Sequence, residues 1–138
     1  RDRCGAHRIG HGTRLYEDAS LLAFVRDHRI PLEVCLTSNV QTRVAPTFAD
    51  HPMAQYVTQG LVVTLNTDNR LMSGVSLTDE YERCAEHLGF DLSTLGTLAL
   101  ASFDAAFVAW PERQRIRARA AEQIDAIVAE AIASGIST

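Results

Sequence analysis

By residue type, His11 and Asp68 are the two positions in this chain most suited to acid–base or metal chemistry. His11 closes the stretch HRIGH at 7–11 and stands between Gly10 and Gly12; Asp68 and Asn69 end LVVTLNTDN at 61–69. Each polar group follows a short apolar run. Taken singly, each has a plain structural reading: a histidine beside glycines, and Asn-Thr-Asp-Asn as ordinary turn chemistry. Taken together, a carboxylate oxygen and imidazole nitrogen form part of the donor set of a catalytic zinc that keeps one position for water. Such a zinc takes three protein ligands, and this chain offers about one, Asp68. His7 lies four residues before His11, but on a strand that separation spans about 13 Å. The glycines argue for a strand, so His7 is expected to be exposed or locally satisfied rather than a co-ligand.

Other chemistries lack their residues. The HxE…PCxxC pattern of cytidine-type deaminases is absent, as are GxGxxG, a Walker loop and GxSxG. Cys35 falls inside a strand candidate with no basic neighbour in sequence, which fits a buried thiol rather than a nucleophile.

The elements that would position these groups alternate. Residues 6–10 read as a short strand. From Asp18, an N-cap candidate, Leu21, Leu22, Phe24, Val25 and His28 follow helical spacing to about Arg29. Pro31 opens PLEVCL, a second strand candidate ending at Thr37-Ser38-Asn39. A polar loop with Pro46 and Pro52 leads to a short helix from Met53 to Gln59, closed by Gly60. LVVTLN is a third strand, rich in β-branched residues. Beyond Asn69 only helices are expected. One is capped by Ser76, with Asp79 at its third position, and stopped by Gly89. One covers 91–107 and, being poor in charge, is expected to be buried. A long one opens near Pro111, with a stripe of Ile116, Ala120, Ile124, Ile127, Val128 and Ala131. Its arginine-rich opposite face reads as solvated surface.

Strand–helix alternation predicts parallel strands with helical crossovers. His11, Ser38 and Asp68 end successive strands, about one unit of a (β/α)8 barrel apart, taking roughly 31 residues per unit. Three strands cannot close a barrel. The α/β fold class expected is therefore the C-terminal part of a (β/α)8 TIM barrel, its last three strands and following helices, with residues 1–138 forming one portion of a single domain.

Composition sets outer limits. The 138 residues carry 46% hydrophobic content and a net charge of −4, with all 13 basic residues arginine. No large basic surface for nucleic acid is expected. No apolar run reaches the roughly 18 residues of a membrane helix, and no signal peptide is apparent. Three cysteines without CxxC spacing disfavour a disulfide framework or a zinc knuckle and fit a reducing cytoplasm. The chain starts at Arg1 rather than methionine, so it is expected to be a piece of a longer protein.

HRIGHGTRL at 7–15, LEVCLTSN at 32–39 and TLNTDNRLMSG at 64–74 closely resemble the C-terminal half of bacterial adenosine deaminases, zinc-dependent barrels of the amidohydrolase type. The resemblance runs from Gly5 through the final helix. It implies hydrolytic deamination of adenosine, and of 2′-deoxyadenosine, to inosine and ammonia by a zinc-activated water. It implies that Asp68 ligates zinc and hydrogen-bonds the water, and that His11 stands beside that water to deprotonate or steady it. Asn69 matches a position where many relatives carry an aspartate that contacts purine N7; here an uncharged amide would bind substrate. Ser38 would line the pocket. An HxH pair and a HAGE-type segment of the family are absent from this chain and are expected upstream of Arg1, so the fragment needs the missing N-terminal half of the barrel. Two alternatives stand beside this reading. One is another purine deaminase, acting on adenine or a modified nucleoside; adenine-specific relatives commonly carry aspartate where Gly10 stands. The other is a catalytically inactive fragment.

Overall fold

Three short parallel strands in the order β1-β2-β3 form the sheet. The coordinates, a computed structural model, describe residues 5–135; Cys4 lies outside the described residues. Strand β1 (Ile9–Gly10) pairs with β2 (Leu32–Val34), which pairs with β3 (Val63–Leu65). The register sets Ile9 beside Leu32, and Leu32 beside Val63. All three residues of β3 are buried, as are Leu32 and Val34, as befits parallel strands covered on both faces.

A single 3-10 turn (Leu15–Glu17) and α1 (Ala19–Asp27) connect β1 to β2. Asp18 caps α1 by accepting from the Ser20 and Leu21 amides, both at 3.0 Å. Two short helices, α2 (Leu36–Gln41) and α3 (Met53–Thr58), lie between β2 and β3. After β3 come α4 (Arg70–Ser73), α5 (Leu77–Leu88), α6 (Leu92–Asp104) and α7 (Trp110–Ala133). The α5 start is a reciprocal capping box: Ser76 Oγ accepts from the Asp79 amide, and Asp79 Oδ2 from the Ser76 amide. Helix α6 packs on β3, and α7 packs on α6. Leu32, Val34, Leu36, Met53 and Tyr56, all 0% exposed, form the centre of the core.

Four expectations need correction. The first strand spans Ile9–Gly10 rather than 6–10; it ends at Gly10 as expected, where the chain turns left-handed at His11 (φ 58°), but it begins three residues later. Thr37-Ser38-Asn39 do not end a strand but form the first turns of α2, and Cys35 stands at that helix's N-cap position. Helix α6 is half-buried rather than buried: Leu98 is its enclosed residue, while Ser93, Thr97 and Asp104 are exposed. On α7, Ile116, Ala120, Ile124, Val128 and Ala131 keep the inward stripe, but Ile127 is 59% exposed. The close approach of α6 and α7 falls at Gly96, where a Cβ would stand 2.9 Å from Ile124 Cγ2. Among the described residues no helix is long and apolar enough to cross a membrane.

Candidate active site

The carboxyl ends of all three strands open on one rim, and the polar residues of the sequence motifs gather there. His11 leaves β1 with φ 58° and Asp68 leaves the β3 end with φ 56°. Both therefore adopt the left-handed conformation, which costs an L-residue about 1–2 kcal/mol. Strained backbone of this kind concentrates at functional sites. At Gly12 (φ 66°), which prolongs the turn, a Cβ would stand 3.0 Å from Leu32 Cδ2, so any side chain there meets both backbone strain and a tight contact. Gly10 has no such neighbour among the described residues. The loop is pinned by buried Tyr56, whose hydroxyl reaches the Gly12 carbonyl at 3.0 Å and accepts from the Tyr16 amide at 3.2 Å.

His11 Nε2 faces Asp68 Oδ2 at 4.0 Å, and each side chain is 43% exposed. That gap exceeds a hydrogen bond and suits one oxygen atom touching both groups. Ser38 Oγ donates to Asp68 Oδ2 at 2.7 Å, while Asp68 Oδ1 accepts from no protein group among the described residues. A carboxylate with one oxygen oriented by a hydroxyl and the other left open suits a metal ligand, with Ser38 as the outer partner that aims it. Among the described residues no three His, Cys, Asp or Glu side chains converge. The donors present thus fit one corner of a zinc site, and the other ligands would have to come from outside this segment.

Asn69 is exposed and serves a local purpose: its Oδ1 accepts from the Met72 amide at 3.1 Å and caps α4. The cap fixes the orientation of the amide, so Nδ2 remains as its free donor. His7 is exposed and no part of the rim cluster. Cys35 is 6% exposed. Burial first, then the Asp68 and Glu80 carboxylates, push its thiol up to about 12, so it stays protonated and inert.

Sequence reasoning missed two members of the cluster. Asn39 Nδ2 lies 3.0 Å from His11 Nδ1, and its Oδ1 lies 3.0 Å from Nε2 of His51. Both residues are 3% exposed. Asn39 was hidden in an apparent strand end. His51 sits 12 residues further along a proline-containing loop, and no spacing rule connects the two. Glu80, 0% exposed, holds the start of α2 by accepting from the Thr37 amide and hydroxyl, with Arg83 beside it at 3.3 Å.

Parallel strands with helical crossovers and their polar residues on the carboxyl rim are the arrangement of part of a (β/α)8 barrel enzyme. Residues 2–123 match the family model described as adenosine deaminase. The chain belongs to the adenosine deaminase family, a family of hydrolytic deaminases. It is 43% identical over 129 residues to an aminodeoxyfutalosine deaminase of Streptomyces coelicolor, covering 94% of this chain and 32% of that protein. It is 40% identical over 124 residues to an adenosine deaminase of Mycobacterium ulcerans, covering 82% and 34%. Among solved structures it is similar to a zinc-bound amidohydrolase from Burkholderia ambifaria, with a TM-score of 0.83 and 26% identity over 94% of this chain and 36% of that one. The chain thus spans about a third of the length of the curated relatives it matches.

Proposed function

We propose that this chain supplies the nucleophile side of the active site of a zinc-dependent adenosine deaminase, which converts adenosine or 2′-deoxyadenosine to inosine and ammonia. The observation that carries the reading is the Ser38-aimed Asp68 carboxylate facing His11 Nε2 across 4.0 Å on the strand rim. Asp68 Oδ1 would hold the metal. A zinc bound there would supply Lewis acidity that brings the pKa of water toward neutral. Asp68 Oδ2 and His11 Nε2 then bracket the attacking water: the carboxylate accepts from it, and the ring fixes its position beneath purine C6. Water adds at C6, the amino group leaves as ammonia, and a carbonyl replaces it. Asn69 Nδ2 is a donor, the polarity that purine N7, an acceptor, requires.

Zinc content and turnover of two variants of the full-length protein test the assignment. Asp68→Ala is expected to lose both. His11→Gln is expected to keep zinc while kcat falls by about 10² to 10⁴, the range of a positioned acid–base group. Full zinc occupancy and normal activity in Asp68→Ala would sink the proposal, and loss of metal in His11→Gln would make His11 a ligand.

A second reading has its own support: the relative named aminodeoxyfutalosine deaminase matches over 94% of this chain. On that reading the substrate is aminodeoxyfutalosine, a modified nucleoside, rather than adenosine. Gly10 speaks against free adenine, for which an aspartate is expected. Comparing kcat/KM for adenosine, adenine and aminodeoxyfutalosine decides between them.

A further inference from the structure

A chain of hydrogen bonds behind His11 has a polarity that can be read from one end to the other. It begins at the Met53 amide, which can only donate, and lies 3.0 Å from His51 Nδ1. His51 Nδ1 is therefore the bare nitrogen, and the ring hydrogen sits on Nε2. Burial pushes the His51 pKa down to about 4, so the ring is neutral at working pH. His51 Nε2–H donates to Asn39 Oδ1 at 3.0 Å, which fixes which end of the amide faces which way. Flipping Asn39 would set its NH2 against the His51 N–H. The Asn39 NH2 consequently donates to His11 Nδ1 at 3.0 Å. In the neutral ring, His11 then carries its hydrogen on Nε2, the nitrogen facing Asp68 Oδ2.

We propose that Asn39 and His51 are positioning residues that set the tautomer of His11, making Nε2 a hydrogen-bond donor to the attacking water. The inference rests on the deaminase reading for the identity of that water, but the tautomer itself does not. It narrows the role of His11. The bare nitrogen is Nδ1, turned into the protein against Asn39, so His11 steadies the water oxygen and does not take its proton. The proton-accepting side of the pair is the Asp68 carboxylate.

The test is the hydrogen-bonded state of the His11 ring in the full-length protein labelled with 15N-histidine. Two-bond 1H–15N correlation distinguishes pyrrole-type from pyridine-type nitrogens, and the His11 signals are identified by their loss in His11→Gln. A protonated Nε2 and bare Nδ1 are expected. Asn39→Asp presents an acceptor to both histidines and should move the His11 hydrogen to Nδ1; kcat should fall about 10- to 100-fold, as for other outer-shell changes, with zinc retained and KM changed less. His51→Gln restores both ends of the link, with Oε1 accepting from Met53 and Nε2 donating to Asn39, and should keep the tautomer and most of kcat. His51→Phe should not. A bare Nε2 in the unaltered protein overturns the proposal, even if Asn39→Asp fails to fold. So does an Asn39→Asp protein with the original tautomer and full turnover. If instead the tautomer is as stated and adenosine is not deaminated, the functional reading fails and this inference stands.

Discussion

Replacing Gly12 by alanine separates the two demands that the rim places on the backbone. At φ 66° the alanine must adopt the left-handed conformation, at about 1–2 kcal/mol. Its Cβ also meets Leu32 Cδ2 at 3.0 Å, and Leu32 is 0% exposed, so it cannot swing into solvent. Forcing that leucine off its rotamer adds about 0.5–1.5 kcal/mol. Reduced freedom of the unfolded chain returns about 0.4–1 kcal/mol. The expected net loss is about 2 kcal/mol. Gly60 (φ 78°) has nothing within 4 Å of its would-be Cβ, so Gly60→Ala carries the conformational cost alone and should lose about 1 kcal/mol or less. Urea unfolding of both full-length variants, with unchanged m values, measures the difference. Activity should separate them further. A shift at Gly12 displaces His11 directly, and a misplacement near 1 Å costs on the order of 10² in rate. Gly60→Ala should retain full kcat. Equal stability losses with unaltered turnover in Gly12→Ala would refute the idea that the Gly12–Leu32 contact sets the position of His11.

Tyr56→Phe should lose roughly 1–3 kcal/mol in the same urea assay, because the Tyr16 amide and the Gly12 carbonyl both lose their buried partner; a neutral result would mean water replaces the hydroxyl. His51 should make stability pH-dependent: its folded pKa is lowered from 6.5 to about 4, so its contribution is complete above pH 6.5 and lost as pH falls toward 4. That gap is worth roughly 3 kcal/mol, and unfolding measured across this range should show the component vanish in His51→Gln. The 138-residue polypeptide alone should neither deaminate adenosine nor retain stoichiometric zinc, and should self-associate through the outer edges of β1 and β3, which pair with no strand among the described residues. Inosine formation by that purified polypeptide, following added zinc and lost in Asp68→Ala, would refute this.

What could be read from the sequence was whatever is encoded locally. The caps at Asp18 and Ser76 bond to amides within three residues, so their side chains announce the helices they start. Strand β3 is legible because Val62, Val63 and Thr64 are β-branched and bounded by turn residues. Helix α2 was not legible. Leu36-Thr37-Ser38-Asn39-Val40 has poor helix propensity, and its start is held by Glu80, 43 residues away in sequence. Helix α4 was missed for a related reason: Asn69 looks like turn chemistry until its side chain is seen to accept from Met72. At the site, residue type and strand-end placement pointed to His11 and Asp68, and the structure sets them face to face. Their left-handed backbone was not apparent, because neither is glycine. Nor was the Asn39–His51 link, which depends on how a loop closes over α2.

The unforeseen helix α2 is what ties the rim together. Three consecutive residues in its first turns make three different attachments. Thr37 is anchored to Glu80 and receives the Arg83 Nη1 donor at 2.7 Å. Ser38 holds Asp68, on the β3 side, at 2.7 Å. Asn39 holds His11, on the β1 side, at 3.0 Å. An extended strand would send neighbouring side chains to opposite faces of the sheet, with only every second residue on the rim side. A helical turn lets adjacent residues diverge by about 100°, so the middle strand's exit can reach His11 just after β1 and Asp68 three residues beyond β3. His11 and Asp68 each carry left-handed strain of about 1–2 kcal/mol, and each is held by a hydrogen bond to a buried partner, the kind worth about 0.5–1.5 kcal/mol and more when the acceptor is charged. Opposing terms of similar size keep both side chains pointed across the same 4.0 Å gap. The spacing between His11 and Asp68 thus depends on Glu80's hold on α2, which neither of them contacts directly.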